Sequence, residues 1–432
     1  MKYRQFIFED YSFDVDTKCL TLRYGLDKAI KFTETYTFDF DFIAYDNELL
    51  DRAFQTLFFM AGVSYYKTYL PPEIVIKKGK LDQNDAQFFS KTYQKGLGEF
   101  FYVNQLDPKT EINFPTTVLA LPVLHSPISS EGLLVAIGGG KDSLVSAEIL
   151  REETENMATW SLNHRAQLSP LIDKIGLPHY WVEREWDKQL LTINDDPEAY
   201  NGHVPISAII ACVGTILAVL TGRRDVVVSN ELSTNEPMLH YRGVAINHQY
   251  SKSQEFEKDF QAHLQGSIGG AVRYYSFLRP LSEVHIAELF AGSGFQKYHD
   301  VFSSCNKAFA HDSTELFWDG TCPKCAFVFL ALTPFVPREQ LENLFSGRNL
   351  LLDTELKPIY HQLLGLQGDR PLECVGTIQE SRAAMSLAKA QYPSLSVYVY
   401  DLPADYDYRA LGAHSMPDEY YKILLDSLTA SA

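Results

Sequence analysis

The chain has 432 residues, 46% of them hydrophobic, and a net charge of −17 from 38 basic and 55 acidic side chains. That length suits two or three domains of roughly 150 residues each, with real cores. So acidic a surface repels polyanions and excludes a protein that grips nucleic acid over a large area. Six cysteines without a regular framework point to a reducing cytoplasm. The opening Met1 to Asp10 turns acidic before an apolar signal segment can form, so no secretion signal is expected. Val204 to Leu220 is uncharged, but Pro205, Ser207 and Thr215 within an α/β pattern make it a buried helix rather than a membrane span.

Residues 1–125 read as an aromatic-rich α+β region. Thr17 to Phe42 alternates as strands do, Asn47 to Met60 is helical, and Asp85 is the expected cap of a helix ending at Gly96. The segments Ala61 to Lys67 and Gly96 to Tyr102, dense in Gly and Tyr, read as turn and core. From 126 to 330 strands and helices alternate. Strands are expected at Leu133–Ile137, Ala158–Leu162, His179–Val182, Val226–Ser229 and Val272–Ser276. Helices are expected at Leu144–Arg151, Ala166–Ile175, Val204–Leu220 and Glu255–Leu264. The pattern predicts an α/β fold, a doubly wound parallel sheet with right-handed crossovers. Residues 331–432 form a C-terminal α/β appendage, with a helix at Gln379–Gln391, a strand at Leu395–Tyr400 and a final helix near Glu419–Leu428.

In such a sheet ligands sit at the carboxyl ends of the strands. Those ends carry Gly138 to Ser143, Asn163-His164, Glu183-Arg184, Asn230-Glu231 and Leu278-Arg279. The apolar run Leu133–Ile137, three glycines and then a helix is a geometry that aims backbone N–H groups at a phosphate. It is not a Walker loop, because Lys141 is followed by Asp142 and Val135 stands where the first glycine belongs. It is not the dinucleotide fingerprint, because Ser143 stands where the third glycine belongs. The run Gly138-Gly139-Gly140-Lys141-Asp142-Ser143 resembles the Ser-Gly-Gly-x-Asp-Ser loop of the PP-loop ATP pyrophosphatases, with Gly138 in place of the leading serine. That resemblance implies ATP bound at Gly138, Gly139, Gly140, Lys141, Asp142 and Ser143, with Asn163 beside it, and cleavage to AMP and pyrophosphate.

Cys322-x-x-Cys325 has the spacing of a zinc knuckle, and Cys305 supplies a third thiolate. PP-loop nitrile synthases of the queuosine pathway carry a further cysteine where this chain has Asp319. Cys305, Asp319, Cys322 and Cys325 could therefore close a structural zinc site, with His311 as a rival fourth ligand. Amides and carboxylates at Asn230-Glu231, Asn235-Glu236 and Asn247 to Lys252 mark where a substrate is to be sought. Arg279 is placed to hold a carboxylate or phosphate bidentately.

Several stretches together resemble one group. They are Ala61 to Lys67, Gly96 to Phe100, Gly138 to Leu144, Asn247 to Lys252, Phe302 to Asn306, Cys322 to Phe329 and Glu373-Cys-Val-Gly376. They are similar to the UDP-N-acetylmuramoyl-L-alanyl-L-glutamate epimerases of bacterial peptidoglycan synthesis. The resemblance implies ATP and magnesium as cofactors, a UDP-muramoyl dipeptide as small-molecule substrate, no nucleic-acid or membrane partner, and release of AMP and pyrophosphate. Adenylating the α-carboxyl removes its charge and acidifies the α-proton, which a general base can then exchange. Lys141 would offset charge on the leaving pyrophosphate, Asp142 would hold magnesium, and Glu231, His248 and Lys252 are the base candidates by position. The alternative is a ligase that adenylates a carboxylate and captures ammonia. The oligomeric state leaves no mark in the sequence.

Overall fold

The computed structural model describes residues 2–124, 131–310, 313–389, 392 and 405–430. In chain order the strands and longer helices are β1 (Gln5–Asp14), β2 (Cys19–Leu26), β3 (Ile30–Phe38), α1 (Asn47–Ala61), β4 (Glu73–Ile76), α2 (Gln83–Gly96), β5 (Leu133–Ala136), α3 (Lys141–Glu153), β6 (Met157–Leu162), α4 (Arg165–Ile175), β7 (His179–Glu185), α5 (Ile206–Thr221) and β8 (Asp225–Val228). There follow β9 (Leu239–Tyr241), β10 (Val244–Ile246), α6 (Gln254–Ile268), β11 (Arg273–Ser276), α7 (Glu283–Ser293), α8 (Pro323–Leu332), α9 (Ile378–Ala388) and α10 (Asp418–Ala430).

Nine strands form one sheet in the order β11-β8-β5-β6-β7-β3-β2-β1-β4. The five strands from β11 to β7 pair in parallel. β3 then pairs antiparallel with β7, through Phe38 opposite Val182 and Tyr36 opposite Arg184. The antiparallel meander β1–β3 thus extends the same sheet, with β4 parallel at its far edge.

Alternation along the strands divides the core in two. Leu134, Ala158, Trp160, Val182, Val226 and Tyr274 face α1, α2, α5 and α6. Leu133, Val135, Met157, Trp181, Val227 and Tyr275 face α3, α4, α7 and α8. Because both faces are covered, the central strands read as continuous apolar runs. α5 is apolar all round because it is buried between α1 and the sheet. Among the described residues no helix is long and apolar enough to cross a membrane.

Most predicted elements form within two residues of their expected ends. The cap of α2 differs: Asp82 accepts from the N–H groups of Asn84 and Asp85, at 2.9 and 3.1 Å. Asp85 lies inside the first turn, its carboxylate 2.9 Å from the imidazole of His263. The two Gly/Tyr-rich segments carry short helices, Val63–Tyr66 and Gly98–Val103. The strand expected at Leu395–Tyr400 lies outside the described residues.

Candidate active site

β5 delivers the chain to the glycine turn. The Ile137 N–H still donates to the Trp160 carbonyl at 2.8 Å, and the chain leaves the sheet at Gly138. Gly138 is exposed, and a Cβ there would meet nothing within 4 Å. Gly139 has φ +89°, and a Cβ would come to 2.9 Å from the Phe309 ring and 3.0 Å from the Ser303 carbonyl oxygen. Only glycine fits such backbone without strain. The Ser303 N–H donates to the Gly139 carbonyl at 3.0 Å, so the segment 302–309 clasps the turn from behind. α3 then starts at Lys141, and its N-cap Gly140 brings no side chain to cap it. The first N–H groups and the positive end of the helix dipole are thereby offered at the strand ends, as an anion requires. The Ser143 hydroxyl turns back to the Gly140 carbonyl at 3.1 Å.

Behind this turn lies a buried cluster of charge. The Lys141 ammonium donates to both Asp142 and Glu283. Carboxylate oxygens of Asp142, Glu231 and Glu283 lie within 4.8 Å of one another. Burial pushes the Glu231 carboxyl up, and Asp142 pushes it further. Burial does the same to Glu283 against the pull of Lys141. At Asp142 burial is outweighed by Lys141 and Lys324, which hold the carboxyl below its ordinary range. Glu283 opens α7, and its N–H donates to Glu380 Oε1 at 2.8 Å. Glu380 and Thr377 form the capping box of α9, so two helix starts fix the cluster.

Arg279 is fully buried and does not face the crevice. Its guanidinium donates to the Glu231 carbonyl at 2.8 Å, Thr234 Oγ1 at 2.7 Å, the Lys252 carbonyl at 2.6 Å and Glu257 Oε2 at 2.9 Å. It ties the strand-end loop to the 250–252 turn and leaves no fork for a ligand, which corrects the role expected from sequence. Asn163 is likewise engaged: its carboxamide accepts from the Arg184 N–H at 2.6 Å and donates to the Arg184 carbonyl at 3.1 Å.

A second cluster adjoins the first. Lys252 Nζ donates to Cys374 Sγ at 3.1 Å, and His248 Nε2 lies 3.9 Å from the same sulfur. The other ring nitrogen of His248 bonds the Glu99 carboxylate, with His203 Nδ1 3.7 Å from that carboxylate. Lys324 donates to the Cys374 carbonyl. Burial lowers His203 to about 4, and His248 beside it adds to that. A cleft of about 680 Å³ between the β9–β10 hairpin and α2 opens next to this cluster, lined by Gly98, Ile246, Asn247 and Tyr250 among others.

The donor atoms of Cys305, Asp319, Cys322 and Cys325 also gather within 4.8 Å of one another. Asp319 is bound at the same time to Lys307 Nζ at 2.6 Å and to the Thr321 N–H at 2.9 Å. His311 lies outside the described residues. Three thiols and a carboxylate at this spacing fit the tetrahedral preference of zinc.

The structure thus brings Lys141, Asp142 and Glu231 to one point and Lys252 and His248 to its neighbour. Glu283, Glu99, His203, Lys324 and Cys374 complete the clusters, and sequence reasoning did not single them out as site residues. Glu99, Lys324 and Cys374 do lie in three of the resembling stretches, and Glu283 ends the segment from Arg279 that resembles a PP-loop helix start; His203 carried no such signal.

A parallel sheet whose strand ends present an anion-ready turn beside buried lysines, carboxylates and a thiol defines an α/β enzyme. The family model described as the MurL N-terminal domain matches residues 1–277, and that of the MurL C-terminal domain matches residues 301–401. The chain is 38% identical over 394 residues to the UDP-N-acetyl-alpha-D-muramoyl-L-alanyl-L-glutamate epimerase of Salinispora tropica, covering 89% of this chain and 85% of that one. It is 38% identical to the protein of the same name from a Micromonospora species over 89% of this chain and 87% of that one. Against the Xanthomonas oryzae pv. oryzae protein the identity is 37%, over 88% and 85%. The chain belongs to the MurL family of UDP-N-acetyl-alpha-D-muramoyl-L-alanyl-L-glutamate epimerases.

Proposed function

We propose that this protein inverts the terminal L-glutamate of UDP-N-acetylmuramoyl-L-alanyl-L-glutamate by adenylating its α-carboxyl with ATP, as a PP-loop enzyme of the cytoplasm. The observation that carries the ATP requirement is the uncapped start of α3 beside the buried Lys141–Asp142–Glu283 group. N–H groups of the turn 138–143 would bind the β,γ end of the triphosphate, and Lys141 would turn toward the charge that grows on pyrophosphate. The three carboxylates, Asp142, Glu231 and Glu283, have the hard oxygen donors that a magnesium ion takes. Such an ion would supply charge neutralisation at the phosphates. Conversion of the carboxylate to an acyl phosphate removes the negative charge that otherwise keeps the α-proton in place, so a side-chain base can exchange it. A zinc ion held by Cys305, Asp319, Cys322 and Cys325 would brace the segment that clasps Gly139.

The test is incubation with ATP, magnesium and the L-Glu form of the muramoyl dipeptide nucleotide. D-glutamate by chiral analysis, with AMP formed beside it, is the expected result. Inversion that proceeds at full rate without ATP refutes the adenylation, and AMP joined to a new amide refutes the epimerase.

A further inference from the structure

The bend from Pro371 to Thr377 inserts one thiol into the cationic part of the site. Cys374 is half-buried. The charged groups facing it come from three directions: Lys252 and His248 from the segment 247–252, Lys324 from α8, and its own neighbour Glu373. Glu373 is bonded to the Asn306 amide and Glu99 to His248, while Lys252 and Lys324 also face the Asp142 and Glu231 carboxylates. Lys252 sits in the field of both Cys374 and Glu231 and links the sulfur to the carboxylate cluster.

We propose that Cys374 is the catalytic residue that exchanges the α-proton, working as a thiolate on one face of the substrate's α-carbon. This rests on the adenylation reading above. The step balances simply. The thiolate takes the α-proton to become a thiol, the C–H electron pair enters the Cα–C bond, and the carbonyl π pair moves to oxygen as an enolate. An acid then delivers a proton to the opposite face, and hydrolysis of the acyl phosphate frees the inverted glutamate and AMP.

Two observations favour the sulfur over its neighbours. A proton acceptor must hold a lone pair at neutral pH, and Lys252 and His248 do not. Burial acts against the charge on His248, but Cys374 and Glu99 outweigh it and raise the imidazolium to about 9. Burial also opposes the thiolate, yet Lys252, His248 and Lys324 together bring Cys374 down to about 5, against about 8.5 for a free thiol.

The experiment uses full-length protein in deuterium oxide with ATP, magnesium and the L-Glu substrate. It follows AMP, deuterium at the α-carbon and D-glutamate for wild type, Cys374→Ala, Cys374→Ser and the remote control Cys19→Ser. In both Cys374 variants AMP release persists, while deuterium uptake and D-glutamate fall by at least about 100-fold. In wild type, iodoacetamide inactivates with a pH midpoint well below that of an ordinary thiol, which a merely structural cysteine would not give. Inversion that survives Cys374→Ala overturns the proposal, as does joint loss of AMP and inversion in both variants. Wild type that inverts without AMP, with exchange still lost in Cys374→Ala, sinks the adenylation and leaves the thiolate standing.

Discussion

Two adjacent glycines should respond oppositely to the same methyl group. At Gly139 an alanine must adopt φ +89° and place its Cβ 3.0 Å from the Ser303 carbonyl oxygen and 2.9 Å from the Phe309 ring. Left-handed backbone costs an L residue roughly 1–2 kcal/mol and overpacking roughly 1–3 kcal/mol, together about 2–5 kcal/mol. At about 2 °C per kcal/mol, the lower end for large domains, Gly139→Ala should melt roughly 4–10 °C below wild type. It should also lose AMP release, because the 302–309 segment can no longer close on the turn. At Gly138 φ is not positive and the added Cβ meets nothing within 4 Å. Gly138→Ala should therefore be neutral or stabilising by up to about 1 kcal/mol, through the unfolded chain alone. Calorimetry and AMP assays on the two variants side by side decide the matter. Equal melting temperatures, or a Gly138 variant as damaged as the Gly139 variant, would refute this account of the turn.

Asp142→Asn should lower AMP release by more than about 100-fold, while Glu283 continues to hold Lys141 and stability changes by no more than about 1 kcal/mol; near-normal turnover would remove Asp142 from the site. Protein purified without chelator should carry about one equivalent of zinc, and Cys325→Ser should lose both the metal and thermal stability; under half an equivalent by elemental analysis counts against the knuckle. Lys67 is buried on two neutral acceptors, Asn201 Oδ1 at 3.0 Å and the Gly202 carbonyl at 2.9 Å, and burial lowers it to about 8 from 10.5. Between those values the unfolded chain keeps a proton the native state has shed, so stability should rise with pH across that window by at most about 3 kcal/mol. Lys67→Met should flatten that rise in urea titrations, and an unchanged slope would show that Lys67 is not the group responsible.

The parts of the fold buried on both faces were the most legible. Leu133 to Ile137 and Val226 to Ser229 could only be interior strands, because apolar residues face both layers. The hairpin of β9 and β10 was missed although its turn, Arg242-Gly243, has positive φ at both residues, because three-residue strands give too short a pattern. Asp85 was the expected cap, but Asp82 caps α2 and Asp85 lies in the first turn against His263, a partner 178 residues away that sequence spacing does not reveal. Arg279 looked like a ligand fork because its partners, two of them backbone carbonyls, leave no trace in sequence. Cys374 is the sharpest case. It lies 122 residues from Lys252 and 126 from His248, so no spacing rule reaches it, and its chemistry exists only once three separate segments converge.

The junction of β3 with β7 carries a further consequence for the life of the chain. The parallel half of the sheet would end at β7, a ragged border of unsatisfied amides and carbonyls open to any passing strand. The meander seals that border, and Arg184 of β7 locks onto the buried Glu34 of β3 at 2.8 Å. The chain therefore builds its own edge protection some 150 residues before the border that needs it. A catalytic core cut free of its first strands would expose a template for aggregation, so the parallel half depends on the meander for its solubility.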